Sequence, residues 1–171
     1  MLMGRASKTA VVAAIALLLS LVAFGNITDD GANLPFVQHV LAMDTIFPSA
    51  TIRYRAIEAP ALQQTAYLLI VAVEVVSAVL CWFGTARLLR HLRAPGAVFN
   101  RAKSAAVSGL TLGYLLWQVG LIAIGGEWFG MWMSHEWNGI ESAFRFLVMT
   151  LGALIYVSLP DGDIPESAAH S

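Results

Sequence analysis

Cysteine is nearly missing from this chain. Cys81 stands alone among 171 residues, so neither an internal disulfide nor a cysteine-built metal cage can form. Charge is also scarce, at 12% of residues against about 25% in an average soluble domain. The net charge of −1 gives no electrostatic footprint for nucleic acid. There is no Gly-rich phosphate loop, no Ser-His-Asp order at usable depth and no cysteine pair for disulfide exchange. The four histidines (His39, His91, His135, His170) all lie outside the long apolar runs, which argues against bis-histidine haem ligation in a membrane. No residue set implies a catalytic activity or a cofactor, and no repeat, low-complexity run or second domain is visible. Apolar residues fill the space instead, at 58% with a mean hydropathy of +0.71. A water-soluble domain of this size cannot hide that much apolar surface. A soluble enzyme, a disordered protein and a nucleic-acid binder are thereby excluded.

A membrane-crossing helix needs about 20 apolar residues. Four segments qualify, at about 9–25, 66–88, 104–125 and 140–159, and Pro160 closes the last. The predicted fold is an all-α integral membrane four-helix bundle in one domain. Arg5 and Lys8 precede the first span, and Arg87, Arg90, Arg93, Arg101 and Lys103 lie between the second and third. The loop between spans one and two has only Arg53 and Arg55, and the loop between spans three and four has no Lys or Arg. This asymmetry places both termini in the cytoplasm, with residues 160–171 as a flexible tail. Arg5, Lys8, the first apolar run and Ala23-x-Gly25 also fit a cleavable signal peptide; the expectation here is an uncleaved first span. In the first external loop, Asn33-Leu34-Pro35 reads as a helix start and Pro48 as a stop. Residues 35–47 are therefore expected to form a short amphipathic helix on the outer membrane surface, or else a loop packed on the bundle.

Polar residues within the spans carry the functional information. Glu74 is expected roughly 12 Å below the outer surface, Gln118 roughly 10 Å and Arg145 roughly 8 Å. Tyr67, Glu74, Ser77, Cys81 and Thr85 form one stripe on the second span. Ser104, Ser108, Thr111 and Gln118 form one on the third, and Glu141, Arg145, Gly152 and Tyr156 one on the fourth. Each stripe is expected to face the interior, since lipid cannot satisfy polar groups. Glu74, Gln118, Glu141 and Arg145 then form an intramembrane polar cluster. It is either a Glu74–Arg145 ion pair that fixes packing or a site for a polar ligand, proton or partner helix. Glu141 and Arg145 can also pair along their own helix. Gly109-x-x-x-Gly113 would let the third span approach a neighbour closely. The second external loop, GGEWFGMWMSHEWNG at 125–139, gathers Glu127, Trp128, Trp132, Trp137 and Asn138 into an aromatic outer cap. Asn138-Gly139-Ile140-Glu141 reads as the start of the fourth span. Met131, Met133 and His135, with His39 and Met43, offer a weak copper alternative through soft thioethers, although methionine is common apolar filler.

Several strings also occur together: Met43-Asp44-Thr45 with Phe47-Pro48, Tyr54-Arg55-Ala56-Ile57, Glu74, Gly125-Gly126-Glu127-Trp128-Phe129 with Met131-Trp132, Trp137-Asn138-Gly139, and Ala143-Phe144-Arg145-Phe146. Together they make the chain resemble a bacterial family of predicted small integral membrane proteins, domain of unknown function 2165. The resemblance implies a four-span protein of the bacterial inner membrane and brings no activity, substrate or cofactor. The residues support two functional readings. One is a non-catalytic accessory or scaffold subunit, docking on a larger membrane complex or on copies of itself. The other is a binder or transporter of a small polar or amphipathic ligand, using the Glu74, Gln118 and Arg145 cluster. The lipid bilayer is the partner common to both.

Overall fold

A computed structural model describes residues 1–164. Helix α1 is Leu2–Thr28, α2 Asp30–Ala42, α3 Pro60–Arg90, α4 Gly96–Ala102, α5 Ser104–Leu115 and α6 Ile140–Ser158. Helix α5 continues without a break as a π-helix over Leu116–Trp128. Among the described residues, four stretches are long and apolar enough to cross a membrane: Leu2–Thr28, Pro60–Arg90, Gly96–Trp128 and Ile140–Ser158. Each of the four predicted apolar runs falls within one of these stretches, to within a residue. The first three helices run past the apolar windows, because a helix ladder propagates through polar ends such as Arg5, Gln63 and Arg90 that a hydropathy count excludes. Large apolar side chains point outward on every long helix, among them Leu21, Leu69, Val79, Phe83, Phe144 and Ile155. In water such a surface would be an aggregation liability; in lipid it is the solvent-facing side.

The helices form a ring in the order α1, α3, α5, α6, with α6 returning to α1. Val12, Ala16, Leu19, Ala78, Leu110 and Val157 fill its centre. Small residues decide how close the helices come. A Cβ on Gly84 would lie 2.5 Å from Ala106 N, and one on Gly109 would lie 2.7 Å from Cys81 Sγ and 2.9 Å from Ser77 O. Ser77 Oγ donates to Gly109 O at 2.6 Å across this seam. Close backbone approach at small residues is the usual route to helix association in lipid, and Gly84 and Gly109 make α3–α5 such a close contact.

Between α1 and α3, the first loop folds α2 against α3. Val37 packs there on Tyr67 and Val71. The helix starts at Asp30, earlier than the Asn33-Leu34-Pro35 signal predicted, so Pro35 lies inside it. It ends at Ala42, where Met43 turns left-handed (φ 51°) and buries its side chain with Val40, Ile46, Phe129 and Met131. That buried side chain helps hold an uncommon backbone conformation for a non-glycine residue. Packing on α3 thus overrides the local start and stop signals.

Candidate functional site: a cavity at the loop end

Two of the three expected inward stripes face the other way. On α3 the reading holds: Tyr67, Glu74, Ser77, Cys81 and Thr85 are all buried. On α5 the buried face is Ala106, Gly109, Leu110 and Gly113, roughly opposite the expected Ser104, Ser108, Thr111 and Gln118. On α6 it is Ala143, Leu147, Thr150, Ala153 and Val157, roughly opposite Glu141, Arg145, Gly152 and Tyr156. The small-residue seam sets the rotation of α5. Exposed hydroxyls are tolerated because Ser and Thr in helices can bond back to the i−4 carbonyl, as Ser20, Thr28 and Thr65 do here.

The predicted cluster therefore divides. Arg145 pairs with Glu141 at 2.7 Å on the outer face of α6, with side-chain exposures of 63% and 83%. It does not meet Glu74. Gln118 is half-buried on the π-helical segment and does not line the cavity described below. Glu74 is 1% exposed, near the middle of α3 and about 21 Å from its start. The overhang of α3 accounts for the difference from the expected depth, since α1 ends level with Glu74. Asn26, in the last turn of α1, donates Nδ2 to Glu74 Oε2 at 2.7 Å. Tyr67 donates its hydroxyl to Asn26 O. A neutral amide thus contacts the buried carboxylate, and no cation pairs with it among the described residues.

Above Glu74 lies a cavity of about 460 Å³, bounded by α1, α2, α3, the π-helical segment and the start of α6. Asn26, Tyr67 and Glu74 form its floor region, with Trp117 and Leu121 on one wall and Phe36 and Val37 on another. Trp117 is 7% exposed and stacks on Phe146 at 4.6 Å between centroids. Its Nε1 is buried without an acceptor among the described residues. A run of π-helix is rare and is often found at functional sites; here it carries both Trp117 and Leu121.

The second loop supplies the mouth. Glu136, Trp137, Asn138, Gly139 and Ser142 line it. Trp137 stacks on His39 at 4.5 Å, and His39 Nδ1 lies 2.7 Å from Asp44 Oδ2. Asn138 Oδ1 accepts from Ile140 N at 3.1 Å, so α6 starts where the sequence placed it. Trp128 and Trp132 sit on the outside of the cap instead. The Arg55 guanidinium lies 4.5 Å over the Trp128 ring and donates to Trp128 O, while Trp132 meets Phe47 edge-on. Glu127 is exposed. Met131 is 1% exposed within the apolar cluster under the loop, whereas His135 is exposed against Phe47. Packing thus accounts for Met131, and the copper alternative gains no convergent ligand set. Among the described residues no group of three or more His, Cys, Asp or Glu side chains could hold a metal ion.

At the opposite end, sequence reasoning missed a polar knot. Arg5 is fully buried and donates to Leu92 O, Ala94 O and Gly162 O, with its guanidinium 4.7 Å over Phe99. Lys8 and Lys103 converge on Leu159 O and Asp161 Oδ2 at 2.5–2.6 Å. Asp161 also exchanges two hydrogen bonds with Asn100. Burial would raise the Asp161 carboxyl, but hydrogen bonds and charge from Lys103 and Lys8 hold it below its ordinary range. Of the tail expected to be flexible, Asp161, Gly162 and Asp163 are bonded into this knot, and residues 165–171 lie outside the described residues.

No curated protein and no solved structure matches the chain. A family match, to the description "Predicted small integral membrane protein (DUF2165)", covers residues 4–160. It takes in all four long helices, the α2 loop and the aromatic cap, and the chain belongs to this family of small integral membrane proteins.

Proposed function

We propose that the protein is a non-catalytic ligand binder of the bacterial inner membrane, with its site in the loop-end cavity. One observation carries this reading: the cavity is lined by Glu74, a buried carboxylate without a counter-ion among the described residues, and by Trp117, whose buried indole N–H has no acceptor among them. Uncompensated buried polar groups are costly, and a volume of about 460 Å³ falls within the common range for small-molecule pockets, about 300–1,000 Å³. The Lys and Arg asymmetry supports a topology with both termini cytoplasmic and the cavity mouth on the periplasmic side. Helix α2 then lies at the outer surface as part of the cavity wall. The first span is retained in this reading, since Asn26 and Arg5 both belong to it.

The reading as an accessory or scaffold subunit draws on a separate observation. Tyr54, Arg55, Trp128 and Trp132 stand outward on the cap, and they are residue types that dominate protein interfaces. Purification from the native membrane in mild detergent, with mass spectrometry of both proteins and small molecules, separates the two. A lone protein carrying a defined small molecule, lost in an E74Q variant, is the expected result. A stoichiometric protein partner with no small molecule would replace the binder with a subunit.

A further inference from the structure

We propose that the ligand is an organic ammonium ion, with an apolar body and a hydrogen-bond acceptor close to the charge. The inference rests on the cavity being a ligand site and adds the chemical class. Charge is the first argument. Glu74 and Glu136 line the cavity, and among the described residues no Lys, Arg or His does. The nearby cations are engaged elsewhere: Arg145 with Glu141, and Arg55 over Trp128. His39 lies against the ring of Trp137 and is bonded to Asp44. An anionic ligand would meet uncompensated repulsion, whereas a cation supplies the counter-charge that Glu74 lacks.

Wall chemistry is the second argument. Phe36, Tyr67, Trp117 and Trp137 all line the space, and aromatic rings attract organic cations. A bare metal ion does not fit, because hard cations need six to eight or near-octahedral oxygen ligands and no cluster of three ligating side chains is present among the described residues. The third argument is Trp117, which lines the cavity and whose Nε1 is a buried donor without an acceptor among the described residues. An ammonium head alone cannot satisfy it, so the ligand brings an oxygen such as an ether or hydroxyl.

The test uses two probes of nearly equal shape, (2-phenoxyethyl)trimethylammonium and its uncharged carbon isostere, 3,3-dimethylbutyl phenyl ether. Each is titrated calorimetrically into the full chain in phosphatidylglycerol nanodiscs. The cation is expected to bind about tenfold or more tightly than the isostere. E74Q removes that preference, E136Q weakens it by a smaller factor, and R145Q leaves it intact. Equal binding of the two probes by the wild-type protein overturns the ammonium class while leaving the cavity as a binding site. Binding of neither probe overturns both. If E74Q does not fold, the wild-type comparison of the two probes still decides. Ammonium heads occur free and on lipids, so the titration is repeated in phosphatidylcholine. Unchanged affinity assigns a free ammonium compound, and loss of probe binding in phosphatidylcholine alone assigns the lipid headgroup.

Discussion

Glu74 and Arg145 show how little a shared depth says about partnership. Both belong to helices of one small bundle, yet one carboxylate is buried against Asn26 while the guanidinium reaches outward to Glu141. Double-mutant cycles in detergent melting distinguish these relations. N26A and E74Q are expected to show a coupling energy of about 0.5–3 kcal/mol, whereas E74Q and R145Q add to within about 0.5 kcal/mol. Strong coupling of Glu74 to Arg145 would contradict the arrangement described here. Asp161 behaves differently, as one carboxylate shared by two buried lysines. Its carboxyl is held low in the folded protein, so the stability it contributes is present above the ordinary carboxylate range. That stability is lost as pH falls through the folded value. D161N should cost about 3–5 kcal/mol near neutral pH, since it leaves two buried ammonium groups without their counter-ion. It should also flatten the acid limb of a melting-temperature profile. An unchanged acid limb in D161N would assign that limb to other carboxylates.

Helix packing follows the small residues. G109A is expected to lower the melting temperature, because its methyl meets Cys81 and Ser77 at under 3 Å, and overpacking costs about 1–3 kcal/mol. G152A, with nothing within 4 Å, should be neutral or stabilising by up to about 1 kcal/mol through helix propensity. If the two variants melt alike, the α3–α5 seam is not a close contact. The sequence made the four long apolar helices and the start of α6 legible, because hydropathy and the Asn138 turn are local signals. Gly109 and Gly113 also marked the seam correctly. Helix rotation was less legible. The rule that polar stripes face inward succeeded on α3, where Glu74 and Ser77 find partners across the interface. It failed on α6, where Arg145 finds Glu141 on its own helix. The cavity was half visible, through Glu74, Trp137 and Asn138. Trp117 was missed because an indole in an apolar run reads as filler, and nothing local announces that its N–H lacks an acceptor. Asn26 was missed because its role depends on where α1 ends relative to α3.

At the scale of the whole molecule, the two ends differ in kind. The loop end holds an open cavity under an aromatic cap; the other end is closed by Arg5, Lys8, Lys103 and Asp161. The proposed topology has a direct test, helped by the burial of Cys81, the only native cysteine. Single cysteines placed at the exposed positions Ser49 and Ala97 should label with an impermeant maleimide from opposite sides. S49C is expected to react in intact spheroplasts and A97C only after permeabilisation. The reverse pattern would invert the bundle. The closed end also bears on how the protein is made. Arg5 and Lys8 leave the ribosome well before the Arg5 partners at 92–94, and Asp161 follows later still. Until Asp161 arrives, Lys8 and Lys103 are cations without their shared counter-ion. A chain that has emerged only as far as Ser158 holds all four long helices and still lacks this clasp, so the knot ties final stability to the arrival of Asp161.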